Sequence, residues 1–543
     1  MNSIGEQIMK RVIYAAAAVF LAGCAMAEQR PNIVFVFSDD HATQAIGAYG
    51  FELAEFAPTP NLDRLAEQGM RFDRALVCNS ICGPSRATIL TGKHSHMNGF
   101  LMNGAEPFDG SQTTFPKSLQ QAGYQTAIIG KWHLKSTPTG FDFWEVLPGQ
   151  GLYYRPEFLT PAGRITEEGY VTDVITDKAI QWLESKRDKA KPFMLMVQHK
   201  APHREWSPPV KYLDLFKDTV FPEPTTLFDN YSGRTRAAHT QDMTLAITLE
   251  KDKDLKVNVR RPDSTFYKRV YSRLTPEQRV AWDGNLDRRE QEYADPDLKG
   301  VELVKWKYQS YLRDYLGCVR SLDDNIGRLQ DYLEKSGLAE NTVVVYSSDQ
   351  GFYLGEHGWF DKRFMYDESY RTPLLVRWPG VVQPGSVNTQ LVSNLDYAQT
   401  FLDMSGAPAD PAMQGKSLVP LLKGDTPSDW RKYHYYHYYE YPGSHAVQRH
   451  EGVYDGRYKL IHFYDVDEWE LMDLQTDPQE LTSRYFNPDY ASIVARMRQA
   501  LERMKTQYEV PKGIPAPRNL ANPEKYLSAE RQKMERTKLQ GSR

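Results

Sequence analysis

Cysteine is scarce. The 543 residues hold four, Cys24, Cys78, Cys82 and Cys318, too few for a disulfide-built scaffold. Beyond the N-terminus no apolar run is long enough to cross a bilayer. Neither sign of charge dominates, and a net charge of −4 offers no basic field for nucleic acid. No internal repeat is present, which argues against solenoids and propellers. What is there is a long chain with 41% hydrophobic residues, enough for a sizeable core and two domains.

Lys10 and Arg11 precede the apolar run 12–22, which is short for a membrane span and reads as a targeting segment. Leu21-Ala22-Gly23-Cys24 has the form of a lipobox and would put a lipid on Cys24; Ala25-Met26-Ala27 fits ordinary signal-peptidase cleavage. Residues 1–27 are thus read as a signal, ending before Cys24 in the lipoprotein alternative. Either way the protein is exported, to the periplasm or as an outer-membrane or cell-surface lipoprotein, and a lipid would be its only membrane contact. Cys78 and Cys318 remain as a pair or as two separate thiols.

Residues 33–37 form a continuous apolar run, as in a strand buried on both faces, and lead into Asp39-Asp40. Residues 343–346 repeat the pattern and lead into Asp349-Gln350. Two further strands, 124–130 and 193–197, lead to Lys131 and His133, and to His199 and His203. Lys131 and His133 are expected to alternate onto one face. Ligands of open α/β sheets bind beyond the carboxyl ends of the strands. Adjacent carboxylates there repel unless a cation lies between them.

The expected fold is α/β: a large mixed, mostly parallel sheet flanked by helices over residues 30–424, then a smaller C-terminal antiparallel sheet-plus-helix domain over 425–512 and a tail, 513–543. Residues 208–300 lack clean periodicity and read as an insertion over the cleft. Residues 303–338 predict an amphipathic helix broken near Gly317, with Asp323-Asp324 on its face. Thr59 or Asn61 is expected to cap the helix that follows Pro60. In the C-terminal part Asp455-Gly456 predicts a hairpin turn, and residues 493–508 a helix. The aromatic run 433–441 either stacks on the rings of a ligand or packs between domains; His445 or His450 would reach that ligand.

The stretch 80–92 reads S-I-C-G-P-S-R-A-T-I-L-T-G. Pro84 suits the first turn of a helix. Cys82 would then lie just before the helix start, where orphan N–H groups favour negative charge. Arg86, one turn in, would face the same pocket with a fork suited to a tetrahedral oxyanion.

With Thr91-Gly92 this stretch meets every position of the signature of the formylglycine-dependent sulfatases, so the chain resembles that family of the alkaline-phosphatase superfamily. The resemblance implies that a formylglycine-generating or anaerobic sulfatase-maturing enzyme oxidises Cys82 to formylglycine (3-oxoalanine). It implies catalytic roles for Cys82, Arg86, Lys131, His133, His203 and Lys362. It implies a cation held by Asp39, Asp40, Asp349, Gln350 and the modified Cys82. Gln350 stands where Asn is more usual. The all-oxygen set suits Ca²⁺ in first place and Mg²⁺ in second. Gly355-Glu356-His357-Gly358 with Asp361-Lys362 is another family landmark; it makes Lys362 a second sulfate-binding lysine and puts His357, Asp361, Arg363 and, from the C-terminal part, His445 on the substrate.

In the implied reaction the hydrated aldehyde attacks sulfur in line. Lys131, His203 and Lys362 neutralise the sulfate, His203 protonates the leaving oxygen, and His133 acts as base when sulfate departs. The stretches 199–206 and 439–443 are similar to bacterial glycan sulfatases, in particular those that remove 6-O-sulfate from N-acetylglucosamine. The implied substrate is a sulfated carbohydrate. Three alternatives remain: a sulfatase for another glycan position or an algal polysaccharide, a phosphonate or phosphodiester hydrolase of the same superfamily, and a non-catalytic glycan-binding lipoprotein.

Overall fold

The computed structural model describes residues 30–104 and 106–513. The targeting segment with Cys24 and the tail from 514 onward lie outside the described residues.

The four apolar runs become neighbouring strands of a ten-stranded sheet. Asn32–Ser38 lies between Thr342–Ser348 and Phe193–Gln198, parallel to both; Gln125–Lys131 and Phe143–Leu147 continue the parallel region outward. The first three are buried along their whole length, which is why their sequences are unbroken apolar runs. Successive side chains feed opposite faces. Val34, Leu195 and Val344 enter one apolar cluster, and Ile33, Met194 and Val343 enter the other. The flanks are antiparallel: Leu374–Arg377 pairs with Thr342–Ser348, and Glu157–Thr160 with Phe143–Leu147.

The helix expected to break at Gly317 runs unbroken from Gly300 to Lys335. A Cβ at Gly317 would lie 2.8 Å from Pro208 Cγ, and one at Gly327 would lie 2.4 Å from Asn61 Oδ1. Both glycines therefore serve close packing, at an intrinsic cost of about 1 kcal/mol each in helix propensity.

Asp323, on the buried face of this helix, accepts from Asn61 N (3.1 Å), Leu62 N (2.9 Å) and Asn61 Nδ2 (2.9 Å). It thereby caps the helix Pro60–Glu67 from a distant element, while the Thr59 side chain makes no cap bond. Asp323→Ala is expected to lower unfolding free energy by about 2 kcal/mol, the upper range of a lost cap. The check is the denaturant midpoint; a midpoint equal to wild type would contradict the cap assignment.

Segment 208–300 is packed into the body, since Leu213, Phe216, Phe266 and Trp282 join the same apolar cluster as the sheet. Cys78 and Cys318 are separate buried thiols in different clusters. The C-terminal strands His434–Tyr438, His450–Tyr454, Tyr458–Phe463 and Glu468–Asp473 form an antiparallel sheet in that order. The helix Ala491–Gln507 lies on it through Met497, Ala500 and Leu501. Of the two readings of the aromatic run, packing is what these rings do: Tyr435, Tyr436, Tyr438 and Tyr439 are all buried. Among the described residues no helix is long and apolar enough to cross a membrane.

Candidate active site

The helix Cys82–Thr91 starts on Cys82 itself, one residue earlier than expected, after an extended Ile81 (φ −155°). It closes at Gly92, whose φ of 61° gives the left-handed cap that glycine adopts without strain. Every residue of the helix is buried. The N–H of Gly83 at its start bonds Asn103 Oδ1 at 3.0 Å.

The carboxyl ends of the two central strands bring Asp39, Asp40 and Asp349 together; each offers an oxygen within 4.8 Å of the others. Asp39, Cys82 and His203 are gathered equally tightly. Arg86 braces the group. Its Nη2 donates to Asp39 (3.1 Å), Nε and Nη2 to Asp349 Oδ2 (3.2 and 3.1 Å), and Nη1 to Gln198 Oε1 (2.6 Å) and the Lys131 carbonyl (2.9 Å). The guanidinium is thus taken up by carboxylates and the strand ends rather than left free for an incoming oxyanion. Lys131 pairs with Asp39, and Lys362 Nζ lies 2.6 Å from Asp40 Oδ1. His203 Nε2 is 3.7 Å from Asp40 Oδ2.

The charges of these groups follow from burial and from one another. Burial acts to raise the Asp39 carboxyl, but Lys131, His203, Arg86 and Lys362 together hold it well below the usual range. Burial pushes Asp40 up to about 7 against the pull of Lys362, with Asp39 and Asp349 adding to the rise. Asp349 is raised by burial and by Asp39. Burial, then Asp39, pushes the Cys82 thiol upward, so an unmodified Cys82 is a thiol and not a nucleophilic thiolate. His203 and His133 are driven well below the ordinary imidazole value by burial and then by Lys131.

A divalent cation fits this donor set. Asp40 Oδ2 and Gln350 Oε1 are buried without a hydrogen-bond partner, and two crowded carboxylates are pushed toward protonation. A hard cation among oxygen ligands would satisfy the first and relieve the second.

His133 does not follow strand alternation. The strand ends at Lys131, Trp132 is buried, and His133 adopts φ 57°, a left-handed turn residue with its Nδ1 buried and unpartnered. Asp40, Asp361 and Arg363 also have positive φ (64°, 77° and 101°). Such strain in non-glycine residues concentrates where structure serves function.

Beside the carboxylates, a polar wall joins the sheet to the C-terminal part. Asp361 accepts from Lys362 N (2.8 Å) and Arg363 Nε (3.0 Å), and its other oxygen lies 3.1 Å from His445 Nε2. Arg363 Nη1 donates to Tyr438 Oη (3.0 Å) and Glu440 Oε1 (3.3 Å), and Glu440 Oε2 accepts from Asn103 N at 3.1 Å. Asp361, Arg363 and His445 therefore stand together.

His357 does not join them. Its Nδ1 lies between Asp229 (3.1 Å) and Arg234 (3.0 Å), and its ring packs among Tyr353, Trp359 and Tyr366. His450 is likewise interior, bonded to the Gln448 carbonyl at 2.8 Å and packed on Tyr436 and Phe463. Gln198, Asn103 and Glu440 are parts of the site that sequence reasoning missed. Gln198 stands at the end of a buried strand and Glu440 lies in the stretch 439–443, so both carried a signal; Asn103 is a single polar residue without a local pattern. A cavity of about 1030 Å³ lies elsewhere, between Tyr49, Arg71, Tyr308, Glu368 and Arg457.

A family model described as Sulfatase matches residues 31–407, and one described as N-sulphoglucosamine sulphohydrolase, C-terminal, matches residues 355–507. The chain is 51% identical over 522 residues to an N-acetylglucosamine-6-O-sulfatase of Bacteroides thetaiotaomicron, covering 93% of this chain and 92% of that protein. The N-acetylglucosamine-6-sulfatase of Homo sapiens is 27% identical over 458 residues, covering 79% and 71%. A solved structure described as a complex with its substrate D-glucosamine-2-N,6-O-disulfate superposes with a TM-score of 0.87 at 51% identity, covering 89% of this chain and 98% of that one. A phosphonate monoester hydrolase from Silicibacter pomeroyi, at 22% identity and a TM-score of 0.65 over 88% of this chain and 96% of that one, shares the fold. Sulfatases generally use a formylglycine and a divalent metal, the two groups for which Cys82 and the carboxylate cluster are suited. The family match over residues 31–407 and the site it encloses lead to one conclusion: the chain belongs to the sulfatase family of the alkaline-phosphatase superfamily and is a sulfuric ester hydrolase.

Proposed function

We propose that this enzyme removes the 6-O-sulfate of N-acetylglucosamine or glucosamine residues in glycans. The observation that carries the reading is the 51% identity, along 93% of the chain, to an N-acetylglucosamine-6-O-sulfatase. The polar wall of Asp361, Arg363 and His445 supports it, because carboxylate, guanidinium and imidazole groups suit the hydroxyls of a sugar bearing the sulfate.

Asp39, Asp40, Asp349 and Gln350 would hold the cation, taken to be Ca²⁺, together with the modified Cys82; bound there it would supply positive charge for the sulfate oxygens. Cys82, converted to formylglycine by a maturation enzyme, would supply the attacking oxygen. Lys131 and Lys362 present ammonium groups to the sulfate. Arg86 is held by Asp39 and Asp349 and keeps the strand ends and the helix start in register. His203, neutral in the free site, would be raised toward protonation by the bound anionic sulfate and would then give a proton to the leaving sugar oxygen. His133, kept neutral by burial and Lys131, takes a proton when sulfate is released. Export through the N-terminal segment, with or without a lipid on Cys24, suits a large external substrate.

A panel of sulfated monosaccharides tests the reading by release of inorganic sulfate. The 6-O-sulfates of N-acetylglucosamine and glucosamine are expected to exceed 2-O-, 3-O- and 4-O-sulfated sugars by about a hundredfold or more in kcat/KM, the discrimination given by unpaired polar groups. Preference for another position, or for an aryl phosphonate, would overturn it.

A further inference from the structure

His445 is clasped between two carboxylates from different parts of the chain. Its Nε2 lies 3.1 Å from Asp361 Oδ2, and its Nδ1 lies 3.1 Å from Asp242 Oδ1. The two carboxylates thus hold the ring by both of its nitrogens. Phe360 meets the ring edge-on, with centroids 5.4 Å apart. The imidazole is thus fixed on three sides.

Asp242 belongs to segment 208–300, and that segment is bonded to both loops that form the wall. The Asp242 N–H donates to the His445 carbonyl at 2.9 Å. Phe360 N–H donates to the Met243 carbonyl (3.0 Å), and Leu245 N–H to the Gly358 carbonyl (2.9 Å). Residues 242–245 therefore frame the loop carrying Asp361 on one side and the loop carrying His445 on the other. The hydrogen bonds and ion pair of Asp242 run to His445 and not to the carboxylate cluster or Cys82.

We infer that Asp242 is a positioning residue for substrate specificity: acting through His445, it sets how tightly the sugar is held and leaves the sulfate-cleaving groups untouched. This rests on the 6-O-sulfated sugar reading above. Removing its charge lets the imidazole turn and leaves Asp361 with one fewer fixed partner. The loss falls on binding that substrate and transition state share, so it appears in KM.

The test uses the matured, cation-loaded enzyme with N-acetylglucosamine 6-sulfate and, in parallel, 4-methylumbelliferyl sulfate, which lacks the sugar. Asp242→Asn is expected to raise KM for the sugar sulfate about tenfold with kcat within about threefold, the scale of one charged hydrogen bond. Its kcat/KM for the aryl sulfate is expected to stay within about twofold of wild type, which also shows that it folds. In a His445→Gln background, Asp242→Asn is expected to add less than about a twofold further change, because the two residues act as one unit. Equal losses on both substrates would make Asp242 merely structural and overturn the inference, as would an unchanged KM for the sugar sulfate. A full additional loss in the His445→Gln background would show that it does not act through His445. Wild-type enzyme active on the aryl sulfate and inactive on the sugar sulfate would instead overturn the substrate reading, and this assignment with it.

Discussion

Cys82→Ala is expected to reduce sulfate ester hydrolysis by about ten-thousandfold or more, the scale seen when a nucleophile is deleted. The side chain begins a fully buried helix, with its Sγ 3.6 Å from Asp39 Oδ1. Burial and Asp39 raise the thiol, so the native cysteine is a poor nucleophile in this setting and its oxidised form is the one with a reactive oxygen. Alanine preserves the helix start and removes one buried sulfur, a change of about 1 kcal/mol in stability. The measurement is sulfate release from a sugar sulfate, alongside thermal unfolding and bound-cation content. Loss of activity in a folded, cation-bearing protein is the expected combination. Activity within tenfold of wild type would remove Cys82 from the chemistry.

Asp349→Asn is expected to weaken cation binding by about a hundredfold or more, at or beyond the range for disturbed metal shells, and to take activity with it. Asp349 accepts from two nitrogens of Arg86 and from the Asp40 N–H at 3.1 Å. The amide keeps the shape but loses a charge that faces Arg86, Lys131 and Lys362. Arg86 then keeps only Asp39 as a charged partner in a site that is almost wholly buried. Breaking a buried pair from one side costs about 3–5 kcal/mol, so the variant is expected to melt lower as well. Metal content after dialysis and a chelator titration give the readout. An Asp349→Asn protein that keeps its cation as firmly as wild type would show that the carboxylate cluster is a set of structural ion pairs.

Much of this site is legible in the sequence because it stands at the ends of strands buried on both faces. Continuous apolar runs announce such strands, and the polar residues that interrupt them, Asp39, Lys131, His203 and Asp349, are visible by contrast. The signature from Cys82 to Gly92 has a local cause, a helix with Pro84 in its first turn and a left-handed Gly92 at its end, and local causes leave local patterns. What escaped is tertiary. Asp323 caps a helix 262 positions away in sequence, and Asn61 beside it offered a plausible local cap that the structure does not use. Gly317 reads as a breaker in isolation; it is a contact point for Pro208. Asp242 and Asn103 sit in loops where one polar residue looks like the next, and only their meeting with His445 and Gly83 gives them a role. His357 departs from its expected place for the converse reason: its motif position is close to Lys362, but its backbone has positive φ and its ring pairs with Asp229.

One pocket, built on Cys82 and the three carboxylates, is expected to grip the sulfate. The most direct measurement is a crystal structure of the cation-loaded Cys82→Ala protein with N-acetylglucosamine 6-sulfate. A cation among Asp39, Asp40, Asp349 and Gln350, with sulfate oxygens beside Lys131, His203 and Lys362 and sugar hydroxyls on Asp361 and His445, is the expected result. Sulfated sugar seated instead in the large cavity between Tyr49, Arg71 and Arg457, with no cation at the carboxylates, would contradict it.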